Sequence, residues 1–226
     1  MPFMNKTSLQ SLLVLLFFPL LAWSQQDAKI HSHNDYIRTA PFWEAYASGL
    51  ESIETDVILL NGELYVAHEH ESITPERTLK SLYLDPIQVA YDLKINNRKP
   101  FQLLIDIKTE AYSTLAKIEE VTAPYRQLYT SEAGEAPLVT FVISGNRPKA
   151  TDYTNYPDHI LFDYQSVTEI GELPLDKIAL ISLSFGRFSD WNGKGRLIDS
   201  HQEKLEEAIG IAHSLGKPFR FWATPD

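Results

Sequence analysis

Four pairs of polar residues, each spaced i, i+2, stand at the ends of short apolar runs: His31 and His33, Glu54 and Asp56, His68 and His70, Asp106 and Lys108. On a strand that runs through such a pair, both members point to one face. In "SIETDV" the residues Ile53, Thr55 and Val57 suit the opposite face, and in "LLIDIK" Ile105 and Ile107 do the same. Glu54, Asp56, Asp106 and Lys108 are therefore expected to point inward together. Burying four charges on one face is costly unless they pair or hold an ion. Three carboxylates with one Lys suit a hard divalent cation bound through oxygen, with the Lys beside an anionic ligand. Histidines on neighbouring strand ends can move protons near neutral pH. Cleavage of a phosphodiester needs these parts: positive charge for the transition state, a base for the attacking hydroxyl or water, and an acid for the leaving oxygen.

Such residues need a frame that brings strand ends together. Strands are predicted at 28–33, 50–59, 63–68, 101–108, 137–145, 159–165, 178–185 and 218–223, where β-branched and aromatic residues are bounded by Gly, Pro, Asn or Asp. Asn61-Gly62 reads as a hairpin turn, which makes the third strand a return of the second. Helices are predicted between them. Thr39 is expected to cap one that holds Phe42, Ala45 and Tyr46 and stops at Gly49. Thr74-Pro75 and Asp85-Pro86 each read as a helix start. Residues 110–129 read as helix interrupted at Pro124, and a last helix runs from about His201 to Leu215.

Alternating strands and helices mean a parallel sheet covered by helices. No glycine-rich dinucleotide fingerprint or P-loop follows any strand, which favours an α/β fold of the TIM (β/α)8 barrel type. About seven parallel strands are expected, so the last strand–helix unit of a full barrel is missing from this reading. Active groups of such barrels gather at the C-terminal strand ends. Asn146, Asp163 and Trp222 stand at later strand ends and are further candidates for lining a pocket.

"HSHNDY", "ESIETDVILLNGELYVAHE" and "LLIDIK" resemble the PLC-like phosphodiesterase superfamily, which includes glycerophosphodiester phosphodiesterases and phosphatidylinositol phospholipase C. The motifs are an early His, an E-x-D on the second strand, G-x(5)-H-[DE] after a hairpin, and [ED]-x-K on the following strand. "SHNDY", "TLKSLYLDP" and "RFWATPD" are similar to its altered inheritance of mitochondria protein 6 branch. The resemblance covers nearly all of residues 29–226. It implies a TIM barrel, a Mg²⁺ or Ca²⁺ ion, and acid–base chemistry by two histidines. It also implies roles: His31 and His68 as the catalytic histidines, Glu54, Asp56 and Asp106 as metal ligands, and Lys108 at the phosphate. Glu69 departs from the pattern, standing where Asp often follows the second His, and the Pro-Glu-Asn motif of the glycerophosphodiesterases is absent.

The remaining features bound the answer. The chain has 226 residues, 44% hydrophobic and 22% charged, which describes one globular domain with a full core. A net charge of -10 opposes nucleic acid as a partner, so the expected ligand is a small phosphodiester or a lipid-derived one. There are no cysteines, so thiol chemistry and disulfides are excluded. Residues 1–24 carry Lys6, then "LLVLLFFPLLAW", then small residues Ala22 and Ser24, the pattern of a secretory signal peptide. The apolar run falls short of the about 20 residues of a spanning helix. The domain is then expected over 25–226 and the location secreted or periplasmic, with no membrane span after cleavage. Two other readings compete: a non-catalytic relative or binding protein, and an H-x-H metallohydrolase binding Zn²⁺ through His31 and His33. The second needs more His at later strand ends, and "VISGN", "FDYQ", "LSF" and "WATPD" supply none.

Overall fold

A computed structural model of the chain describes residues 28–131 and 136–225. The segment 1–24, on which the signal-peptide expectation rests, lies outside the described residues. Among the described residues eight strands are present: β1 (His31–Ser32), β2 (Ser52–Leu60), β3 (Glu63–Tyr65), β4 (Phe101–Ile107), β5 (Val139–Gly145), β6 (Ile160–Tyr164), β7 (Ile178–Ser184) and β8 (Phe219–Trp222). The sheet runs β1-β2-β4-β5-β6-β7-β8, every neighbouring pair parallel, with β3 returning antiparallel along the outer end of β2. Asn61 and Gly62 both take positive φ, 51° and 79°, as a two-residue turn joining twisted strands requires.

The expectation of a TIM (β/α)8 barrel is met only in its coarser form. The fold is α/β, with seven parallel strands in a curled half-barrel whose edges, β1 and β8, do not pair with each other. The curl nonetheless brings the two edges near. Arg220 on β8 reaches across to Glu54 on β2.

The helices are α1 (Trp43–Ala47), α2 (Asp85–Asp92), α3 (Ala111–Thr122), α4 (Arg126–Tyr129) and α5 (Asp199–Ser214). The Glu110 carboxylate caps α3 by accepting from the backbone N–H groups of Tyr112 and Ser113 at 3.0 and 2.7 Å. Pro124 ends it, and a 3-10 turn over Ala123–Tyr125 leads into α4. Two expected helix starts differ from the structure. Thr39 caps nothing, because the buried Asp35 carboxylate takes the Phe42 N–H at 2.6 Å and α1 begins only at Trp43. Thr74-Pro75 opens no helix either. A π-helical turn over Lys80–Leu84 flows directly into α2, so the two expected helices are one segment.

Strands buried on both faces explain the apolar runs. On the outer face Ile53, Val57, Leu103, Ile105, Phe141, Ile143 and Ile181 join the large core beneath the helices. On the inner face Leu104, Val142 and Leu180 form a separate small cluster. Leu104 and Val142 stand level with Glu54 and one inward step before Asp106 and Ser144 on the same strands.

Candidate active site

Strand register sets the site. Asp56 pairs with Asp106, and Asp106 with Ser144, so three polar side chains stand in one row across β2, β4 and β5. Glu54 lies two residues before Asp56 on the same face. The ligand-capable oxygens of Glu54, Asp56 and Asp106 all lie within 4.8 Å of one another. This is the clustering that the alternation in "SIETDV" and "LLIDIK" predicts. Lys108 closes the row, with Nζ 3.2 Å from Asp56 Oδ2 and 3.0 Å from Asp106 Oδ1.

Asp56 is fully buried and its two oxygens differ sharply. Oδ2 accepts from the Tyr36 hydroxyl at 2.8 Å and meets His68 Nδ1 at 2.7 Å, besides Lys108. Oδ1 finds no hydrogen-bond partner among the described residues. A buried carboxylate oxygen left bare is expensive. Its position beside two more carboxylates fits a hard cation bound through oxygen.

The titrations follow from this crowding. Burial opposes charge on Glu54, yet the His31 hydrogen bond and the Arg220 guanidinium outweigh it and hold the carboxyl down to about 2. Burial pushes Asp106 up, only partly offset by Lys108. Burial pulls the Lys108 ammonium down, but the charges of Asp106 and Asp56 overcome this and keep it above its ordinary value. Burial raises the Tyr36 phenol, reinforced by its hydrogen bond to Asp56, so it stays a donor.

The two early histidines part company. Strand β1 stops at Ser32, and Asn34 takes a left-handed turn at φ 47°, so the face shared by an i, i+2 pair is lost. His31 packs behind the site with both ring nitrogens engaged, Nδ1 to Ser52 Oγ and Nε2 to Glu54 Oε2, each at 2.7 Å. Burial lowers its pKa. His33 is exposed and lines the cavity, with Nε2 3.7 Å from Glu54 Oε1. His68 lines it too, while His70 sits in an exposed 3-10 turn away from it. The rings of the H-x-H pair approach different oxygens of Glu54, and the later strands contribute no His to the described lining of this cavity.

The cavity holds about 480 Å³, in the range of small-molecule sites. Asn146 and Trp222 line it as their strand-end positions suggest. Asp163 does not reach it: it is fully buried and accepts from Ser144 Oγ at 2.8 Å and Ser182 Oγ at 2.6 Å. Burial raises its pKa. Sequence reasoning missed four residues that shape the site. Tyr36 and Asp35 belong to the same "HSHNDY" stretch, and their burial is the signal that was absent. Asp35 accepts from Ser32 Oγ, the Phe42 N–H and the Tyr83 hydroxyl, and so fixes the loop that carries His33. Gly145, at φ +66°, lets β5 pass against Asp106. Arg220 donates from Nη1 to Glu54 Oε2 at 2.7 Å and also meets His31 Nε2.

Comparison with known proteins shows the family. The family described as AIM6-like phosphodiesterase domain matches residues 24–163. The altered inheritance of mitochondria protein 6 homolog of Arthroderma benhamiae is 29% identical over 231 residues, covering 87% of this chain and 72% of the relative. The altered inheritance of mitochondria protein 6 of Kluyveromyces lactis is 30% identical over 167 residues, covering 56% and 40%. That of Lachancea thermotolerans is 42% identical over 247 residues, covering 87% and 57%. The chain therefore spans between 40% and 72% of the length of these three relatives. Their names refer to the inheritance of mitochondria, which points to an intracellular rather than a secreted protein. This corrects the expectation of a secreted or periplasmic location. Family match, motif order and the clustered carboxylates converge, and the chain belongs to the AIM6-like branch of the phosphodiesterase superfamily.

Proposed function

We propose that this chain is a metal-dependent phosphoric diester hydrolase built on part of a TIM-type barrel. The observation that carries the reading is the environment of His68. Its Nδ1 is held at 2.7 Å by Asp56, which orients the ring and leaves Nε2 to meet a ligand in the cavity. When Nδ1 donates to Asp56, Nε2 bears the lone pair, so His68 acts as the general base on a water or a neighbouring substrate hydroxyl. His33, across the same cavity, supplies the proton to the leaving oxygen. His31, engaged at both nitrogens, positions Glu54 instead. Lys108 places its ammonium beside the phosphoryl group.

Glu54, Asp56 and Asp106 would hold a Mg²⁺ or Ca²⁺ ion, which the bare Asp56 Oδ1 and the all-oxygen donor set both suit. Such an ion supplies positive charge for the developing negative charge on the phosphoryl oxygens. A cavity of about 480 Å³ accommodates a glycerophosphodiester or a phospholipid head group. The net charge of -10 disfavours nucleic acid as substrate.

The test is hydrolysis of a panel of small phosphodiesters by the wild type and His68→Ala, with and without EDTA. The wild type should turn over at least one diester and lose that activity with the chelator. His68→Ala should be slower by about 100-fold or more. Equal rates for the two proteins sink the mechanism.

A further inference from the structure

On β8 the side chains alternate. Phe219 and Phe221 pack edge-on to each other at 4.6 Å between ring centroids, and Phe221 packs against Phe185 and Phe188 at 5.9 and 5.6 Å. Arg220 and Trp222 take the opposite face and line the cavity. An arginine on an edge strand ordinarily reaches for water. This one is 20% exposed at its side chain and is drawn inward by Glu54.

Glu54 engages only Nη1. Nε is buried with no hydrogen-bond partner among the described residues. A guanidinium has five N–H donors in a rigid fork, so donors remain after Glu54 is served. The charge balance says what they suit. Glu54, Asp56 and Asp106 against Lys108 and Arg220 leave the cavity at -1, counting the histidines as neutral. A divalent ion held by the carboxylates makes it +1, the complement of a phosphodiester monoanion. Without Arg220 the loaded cavity is neutral and has no net attraction for that ligand.

We propose that Arg220 is a phosphate-binding residue: held in place by Glu54, its guanidinium donates to a non-bridging oxygen of the phosphodiester from the β8 side of the cavity, while Lys108 approaches from β4. This deepens the proposed function and rests on a phosphodiester being the ligand. Arg and phosphate form forked, charge-assisted hydrogen bonds that an ammonium cannot reproduce.

The test is calorimetric binding of bis(4-nitrophenyl) phosphate, in the presence of Ca²⁺, to the 226-residue chain carrying His68→Ala, in which turnover is slowed about 100-fold or more. The same titration is run on that background with Arg220→Gln and with Arg220→Lys. Arg220→Gln should weaken binding by about 10-fold or more. Arg220→Lys, which keeps the charge but not the fork and is the variant to read if Gln fails to fold, should fall between. Affinities within twofold of the parent in a folded variant overturn the inference and leave Arg220 as a tie between β8 and β2. Hydrolysis of the same diester by the wild type is measured alongside. Turnover with binding indifferent to Arg220 sinks this inference and keeps the hydrolase. Binding lost with Arg220 but no turnover sinks the hydrolase and keeps the phosphate contact.

Discussion

Gly145→Ala is the sharpest probe of how the carboxylate row is built. Gly145 ends β5 at φ +66°, and a Cβ there would stand 2.2 Å from Asp106 Oδ1 and 2.6 Å from the Ile107 carbonyl oxygen. Two costs combine. A non-glycine residue in the left-handed region costs about 1–2 kcal/mol. Overpacking costs about 1–3 kcal/mol, and here neither obstacle retreats freely, since one is backbone and the other is paired with Lys108. A combined loss of about 3 kcal/mol, at about 2–4 °C per kcal/mol for a domain of this size, lowers Tm by about 6–12 °C. Gly62→Ala is the control. It has φ +79° but nothing within 4 Å of its Cβ, so only the backbone cost applies, about 1 kcal/mol and about 2–4 °C. Thermal unfolding followed by circular dichroism measures both. If Gly145→Ala loses no more than Gly62→Ala, the close approach of β5 to Asp106 is wrong, and with it the geometry of the row.

Two further outcomes follow from the same groups. His33→Ala should cost activity on a phosphodiester by about 100-fold or more with little change in Tm, whereas His31→Ala should chiefly lower Tm; loss of activity at unchanged Tm in His31→Ala would exchange the two roles. Burial raises the Asp163 pKa above 3.8, so between that value and its native one the folded state holds the extra proton, and stability falls as pH rises through the window. Asp163→Asn keeps an acceptor for Ser144 and Ser182 but cannot ionise. Its stability relative to wild type should therefore grow from pH 4 to pH 7 in urea unfolding, and a pH-independent difference would refute the raised pKa.

The strands were legible because each carries its own signal. "LLIDIK" states its alternation within six residues, and Asn61-Gly62 states its turn within two. The same local signal put Glu54, Asp56, Asp106 and Lys108 on one face. His31 and His33 were not separable, because the loss of their common face depends on where β1 stops and on the turn at Asn34. The helix expected at Thr74-Pro75 failed for a related reason. Capping residues mark where a helix can begin, and here the segment closes as a single turn, the Arg77 N–H donating to the Thr74 carbonyl at 3.0 Å, before Thr78 bridges to Tyr65. Arg220 gave no sign of its role. A charge on an edge strand reads as solvated, and its partner Glu54 is 166 residues away.

That separation has a consequence for how the site comes into being. At roughly 5–20 residues per second, synthesis delivers Arg220 about 8–33 s after Glu54. The early strands must wait through that interval with an acidic cluster short of one of its two cations. Docking of β8 then brings the cavity from -2 to -1, a long-range closure of the kind that slows folding. The nascent chain thus has a built-in order: a scaffold first, and the complete charge cluster only when Arg220 reaches Glu54.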